Sequence, residues 1–291
     1  MNWSRFRWLY FLISVLVIIP GVISLLMYGL KPGIDFTGGT LLEYQFSAPV
    51  EQNQLESIVK ETGFIASGVQ SSGENTYLFR LSTISKDEAQ KIKETLSQKL
   101  ALDLEEVRFE TVGPILGKEL LRKTLIAVLM ASVAILTYVG WRFKEKKFGV
   151  CAVLAMFHDS LVILGIFSLL GHFFGVEVDT LFVTAVLTIL SFSVHDTVVV
   201  YDRIRESKRI FPNTSFEQLV NKAISETLVR SLNNSLTIIF MLLALLLLGG
   251  ETIRWFVAAL LIGTISGTYS STFTAAPLLV VWHKLAERKK S

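Results

Sequence analysis

Asp196 stands in the string SFSVHDTVVVYDRIRE, inside an apolar stretch long enough to cross a membrane. An ionisable group at the centre of a membrane helix costs roughly 2.5 to 3.5 kcal/mol on insertion scales, and groups kept there serve ion or proton passage or pair helices. On a helix, Ile189, Phe192, Ser193, Asp196, Val200 and Arg203 share one stripe, which puts Asp196 about 9 Å along the axis from Asp202 at 1.5 Å per residue. The next apolar stretch begins VRSLNNSLT. If the two helices pack antiparallel, Arg230 can snorkel inward toward Asp196, with Asn233, Asn234 and Thr237 in the first two turns as polar support. Desolvation favours the neutral acid and a guanidinium favours the carboxylate, so such a pair has two accessible charge states. Two readings stay open at this point, a proton relay and a static interhelical polar lock.

His158 and Asp159, in AMFHDSLVILG, repeat the theme. Neighbouring helical residues point about 100° apart, so these two are not expected to form one facing dyad, and each needs its own partner. A relay role and a packing role compete for them, and His195 beside Asp196 carries the same ambiguity. His172 and His283 read as ordinary interfacial residues. None of the four histidines has metal-ligand spacing, so no metal is expected. No nucleotide-binding motif or nucleophile–base set is visible either, which points away from an enzyme and from any cofactor. GPILGKE at 113–119 resembles a phosphate loop, but three residues separate its glycines and no Ser/Thr follows Lys118. It reads as a turn into the second span.

The elements that must position these groups are set by hydropathy. The chain is 291 residues long and 51% hydrophobic, too apolar for an ordinary soluble domain. Runs long enough to span the hydrocarbon, about 20 residues each, fall near 8–28, 121–140, 149–170, 180–201, 232–249 and 253–281. The first follows Arg5 and Arg7 like a signal peptide, yet has no small-x-small cleavage site before Lys31, so it is read as a retained anchor. Lys and Arg crowd one set of connections: Arg5 and Arg7; Arg142, Lys144, Lys146 and Lys147; Arg203 to Arg230; and Lys284, Arg288, Lys289 and Lys290. By the positive-inside rule these are cytoplasmic, with both termini inside. The segment from 29 to 119 has nine Lys/Arg against fourteen Asp/Glu and lies outside. The formal net charge of +3 thus averages two faces, and the basic loops report topology rather than nucleic acid. The lone Cys151 permits no disulfide within the chain and leaves the redox compartment unread.

Between the first two spans the periodicity changes repeatedly. LLEYQF reads as a strand with Leu42, Tyr44 and Phe46 on one face; EQNQLESIVKET reads as a helix burying Leu55, Ile58 and Val59. FIASGVQSS and ENTYLFRLS form a hairpin around Ser72 and Gly73. Ser85 with Glu88 makes a capping box for a helix burying Ala89, Ile92, Leu96 and Leu100, and EEVRFETV closes as a strand. The order βαββαβ predicts a ferredoxin-like split fold, which by itself names no function. GIDFTGGT joins the first span to this domain. Gly33, Gly38 and Gly39 allow backbone angles closed to other residues, Asp35 and Thr37 can bond nearby amides, and Phe36 lies between them. The motif reads as a rigid joint or as a contact for a client. In the last span GTISG followed by TYSST permits close helix approach or a partly wetted path. Pro20 and Pro277 are expected to kink their helices.

Taken in order, GIDFTGG, the small external domain, HDS, HDTVVVYDRIRE and RSLNNSLT closely resemble the SecD/SecF family of bacterial protein-export membrane proteins, within the resistance-nodulation-division superfamily. The resemblance covers nearly the whole chain. It implies six transmembrane helices forming half of a twelve-helix unit, plus an extracytoplasmic ferredoxin-like domain. The divisions would be 1–30 (N-terminus and first helix), 31–119 (external domain), 120–283 (helices two to six) and 284–291 (basic tail). It assigns proton passage to Asp196 and Arg230; His195, Asp159 and His158 remain candidate relay members on their chemistry alone, with Ser193 as candidate polar support. The family more often has Asn-Asp-Thr where this chain has His195, Asp196 and Thr197, which adds a titratable group. The implied partners are SecD, the SecYEG translocon, the translocating polypeptide, protons and other translocon accessory proteins, at the plasma membrane. Half of a small-molecule or lipid exporter and a non-transporting scaffold are the alternatives; an exporter would carry a second large external loop, where this chain has only GHFFGVEVD.

Overall fold

A computed structural model of the chain describes residues 2–64, 66–143 and 145–288. Lys144, Lys289 and Lys290, which contribute to the expected basic face, lie outside the described residues, as does Ile65 of the expected hairpin. The chain opens with a 3-10 turn at Trp3–Phe6 and helix α1 (Arg7–Tyr28). A one-turn helix α2 (Ile34–Thr37) precedes β1 (Gly39–Phe46), α3 (Gln52–Glu61), β2 (Ala66–Gly73), β3 (Thr76–Leu81), α4 (Lys86–Leu100) and β4 (Leu104–Val112). Five long elements follow: α5 (Pro114–Arg142), α6 (Lys146–Phe174), α7 (Thr180–Ile210), α8 (Phe216–Leu248) and α9 (Glu251–Ser270). The last runs through a π-helical turn, Ser271–Ala275, into α10 (Ala276–Arg288).

Among the described residues, six helices are long and apolar enough to cross a membrane, the sixth being Thr252–Arg288. They sit where the apolar runs predicted them, and extend past those runs by up to several turns because their charged ends remain helical. The contacts divide the chain into two compact units, Pro32–Ile126 and the remainder. The first turns of α5 therefore group with the small domain.

That domain is a four-stranded antiparallel sheet in the order β2-β3-β1-β4, the split arrangement expected from βαββαβ. Leu42, Tyr44 and Phe46 face α3 and α4, and Leu55, Val59, Phe79, Ile92 and Leu96 complete a closed core. Ser85 accepts from the Glu88 amide while Glu88 accepts from the Ser85 amide at 2.7 Å. The hairpin differs from expectation. Ser72 and Gly73 belong to β2, and the turn is Glu74–Asn75, with Gly73 paired to Thr76. Asn75 takes φ 56°, a left-handed conformation that asparagine tolerates better than most residues.

Within the helical unit, α6, α7 and α9 form the centre, and α1 lies along α6. The α1–α6 approach is set by two glycines: a Cβ on Gly165 would stand 2.6 Å from the Gly21 Cα. Gly263 does the same for α9 on α7, where a Cβ would meet the Ile189 side chain at 2.2 Å. The expected kink at Pro277 takes a particular form, since the π turn ends two residues before it. A proline lacks the amide for the ordinary i−4 bond and clashes with that carbonyl; widening the turn avoids the clash. At the end of the π turn the Ala275 carbonyl also accepts from the Tyr201 hydroxyl at 3.0 Å.

Candidate functional site

Two carboxylates are buried in the centre of the helical unit. Asp196, on α7, is 7% exposed, and Asp159, on α6, is fully buried. The stripe on α7 puts Ile189, Ser193, Asp196 and Val200 inside as the spacing predicts, and that places Asp196 against α8 and the π turn. Ser231 Oγ on α8 lies 2.7 Å from both carboxylate oxygens, and the Ser271 hydroxyl donates to the same group. Neither lysine nor arginine bonds Asp196 among the described residues. Beside it, the buried Thr197 hydroxyl has no hydrogen-bond partner among the described residues.

Asp159 is served more fully. Ser193 of α7 donates to Oδ2 at 2.5 Å, Ser270 of α9 to Oδ2 at 2.6 Å and Ser266 to Oδ1 at 2.6 Å. Its fourth partner corrects the expectation that His158 and Asp159 act apart. His158 Nδ1 lies 3.0 Å from Asp159 Oδ1, because the imidazole is long enough to swing back across the 100° between their Cβ directions. The other ring nitrogen, Nε2, lies 3.0 Å from Ser14 Oγ on α1.

The remaining expected members are elsewhere. Arg230 is exposed and lines a cleft of about 660 Å³ together with Arg142, Val199, Asp202 and Glu226; no bond joins it to Asp196. The helix is turned so that Ser231, not Arg230, meets the acid. His195, Asn233, Asn234 and Thr237 are exposed on α7 and α8, so the expected cluster around Asp196 is not assembled within this chain. Thr237 instead donates to the Asn233 carbonyl at 2.6 Å. Ser14, Ser231, Ser266, Ser270 and Ser271 were not singled out by sequence reasoning. The GTISG–TYSST run held the signal for three of them, since Ser266 and Ser270 recur at i, i+4 and Ser271 follows.

At the joint, Thr37 donates to the carbonyls of Gly33 and Gly38, at 3.1 and 3.0 Å, where bonds to nearby amides were expected. Ile34 and Phe36 are buried. Gly38 has φ +74°, and a Cβ there would stand 2.8 Å from the Pro114 Cα. Gly117 abuts the Gly38 amide in turn, which gives GPILGKE a packing role: Pro114 starts α5, and Gly117 admits the joint.

A family model described as protein export membrane protein SecD/SecF, C-terminal, matches residues 91–285, and a SecD/SecF GG motif matches residues 23–50. This chain belongs to the SecD/SecF family. The GG motif coincides with the Gly38–Gly39 joint, and the C-terminal model spans both buried carboxylates. The protein translocase subunit SecF of Thermobaculum terrenum is 46% identical over 96% of this chain and 92% of its own length. That of Anaerolinea thermophila is 42% identical over 95% and 92%. The crystal structure of SecDF, a translocon-associated membrane protein from Thermus thermophilus, superposes with a TM-score of 0.87 at 33% identity. It covers 98% of this chain but only 39% of the SecDF chain, so SecDF is more than twice as long.

Proposed function

We propose that this SecD/SecF-family chain is an accessory subunit of the Sec protein translocase in the bacterial plasma membrane, and that with SecD it uses the proton gradient to promote late polypeptide movement through SecYEG. The observation that carries the proton role is Asp196, a carboxylate buried among membrane helices and held by two serine hydroxyls without a cation. Hydroxyls can donate to a carboxylate or accept from a carboxylic acid, so both protonation states can be accommodated without rebuilding the site. The cleft beside Arg230 begins one turn away, at Val199, and supplies the aqueous side. At ~150 mV one proton crossing supplies roughly 3.5 kcal/mol, from about 2.3 per 100 mV. A few hundredfold bias of a two-state equilibrium follows, at about 1.4 kcal/mol per tenfold.

SecD is the partner that the exposed polar faces of α7 and α8 require. His195, Asn233, Asn234 and Arg230 are unfavourable against lipid and belong against a second bundle or a wetted seam. The much greater length of SecDF supports a second half supplied by a separate chain. The basic ends of the helices are assigned to the cytoplasm and the acidic domain to the outside. No enzymatic step is proposed.

The test is preprotein translocation into inverted membrane vesicles depleted of this chain. Restoring it together with SecD should recover the gradient-dependent part of translocation, and SecD and SecYEG should copurify with it in mild detergent. Full gradient dependence in the depleted vesicles would contradict the proposal.

A further inference from the structure

Asp159 is fully buried and His158 nearly so, and the pair connects three features. Its carboxylate holds Ser193, Ser266 and Ser270. Ser270 is followed in the chain by Ser271, which donates to Asp196, so consecutive hydroxyls at the start of the π turn bind the two acids. Its imidazole reaches Ser14 on α1, and Ser14 Oγ is itself 3.4 Å from Thr274 Oγ1 within the same π turn. π turns inside α-helices occur frequently at functional sites. The other titratable groups facing the pair from packed elements are Tyr269, whose ring stacks on His158 at 6.2 Å, Tyr10, whose carbonyl accepts from Tyr269, and Asp196. No lysine or arginine bonds Asp159 among the described residues.

We propose that His158 and Asp159 form a second proton-holding pair, coupled to Asp196 through Ser270 and Ser271 and to the first membrane helix through Ser14. This rests on the proton-driven reading of Asp196. Charge balance explains why the two residues act as one. A carboxylate with an imidazolium and a carboxylic acid with a neutral imidazole have the same proton count, and a proton passing from Nδ1 to Oδ1 across 3.0 Å interconverts them: the N–H bond breaks and the O–H bond forms. A neutral imidazole with its proton on Nδ1 accepts at Nε2 from the Ser14 hydroxyl. An imidazolium donates from Nε2 instead, and the Ser14 hydroxyl must then turn to another acceptor, for which Thr274 Oγ1 is in place. The shift from Nδ1 to Oδ1 leaves the proton on Nε2; it is uptake or loss of one proton by the pair that reverses the bond tying α1 to α6, and α1 is the helix whose chain continues into the GG joint.

The experiment is infrared difference spectroscopy of the full chain with SecD in lipid, from about pH 5 to about pH 9, alongside gradient-dependent translocation. In Asp196→Asn a carboxylic-acid C=O band should persist, and it should vanish in Asp196→Asn/Asp159→Asn. His158→Gln should shift the frequency of that band, because the acid loses its imidazole partner; this variant also decides the matter if Asp159→Asn fails to accumulate. Ser14→Ala should keep the band yet lose gradient-dependent stimulation, separating proton binding from coupling. A residual band indifferent to both Asp159→Asn and His158→Gln would overturn the second site, and full stimulation in Ser14→Ala would overturn its link to α1. Full stimulation in Asp196→Asn alone is a different result, and it would count against the underlying proton reading.

Discussion

Asp196 and Asp159 differ in how completely their oxygens are paired. Asp159 has four partners spread over two oxygens, three of them serine hydroxyl donors, whereas Asp196 has two hydroxyls, one of them shared between its oxygens. A buried acceptor that loses a donor bears its own desolvation cost, about 1 to 3 kcal/mol. Ser231→Ala should therefore destabilise the helical unit by about that amount, measured by unfolding in mixed micelles. Ser191→Ala, on the exposed side of α7, should change stability by less than about 0.5 kcal/mol. Equal effects from the two would mean that the Asp196–Ser231 bond contributes nothing. The acids were legible as residues because charge within an apolar run is conspicuous. Their serine donors were not, since a serine in a membrane helix reads equally well as a small packing residue, and helical period cannot say which neighbouring helix it will face. Arg230 shows the same limit: its place in VRSLNNSLT suits an inward reach, but a rotation of one residue gives that contact to Ser231.

At the scale of elements, glycine contacts set helix spacing where side chains would hold helices apart. Gly165→Leu should separate α1 from α6 and break the Ser24–Ser168 hydrogen bond of 2.8 Å. The expected readouts are a clear fall in melting temperature and faster amide exchange in α1; unchanged exchange would show that the close approach is dispensable. In the small domain, Ser85→Ala should cost about 1 kcal/mol through the lost cap. The Ser85 amide and hydroxyl hold the Glu88 carboxyl below its ordinary value. A depressed carboxyl stabilises fully above its unfolded value and loses that contribution as pH falls through the folded one. The Ser85→Ala difference in melting temperature should thus shrink in acid, and a gap that widened would reverse the assignment. The capping box and the strand order were readable because local periodicity and caps decide them. The hairpin turn was misplaced by two residues because Gly73 drew attention as a turn former, while Asn75 supplied the positive φ. The π turn had only Pro277 as its signal, and a proline does not say whether its helix will bend or widen.

For the molecule as a whole, the helical unit carries polar side chains on its outer face, which are unfavourable against lipid. Arg230, His195, Asn233 and Asn234 belong against a second bundle or a wetted seam, and SecD is the proposed bundle; Arg230→Leu should weaken copurification of SecD or gradient-dependent export, and a variant normal in both would remove Arg230 from the proposal. Protonation of Asp196 is proposed to drive export, and translocation into inverted vesicles with and without a proton gradient decides whether it does. Asp196→Asn should accumulate normally, retain SecD, and show the same translocation whether or not the gradient is present. Gradient-dependent stimulation equal to that of the unaltered chain would contradict the account and leave Asp196 as a static lock between helices.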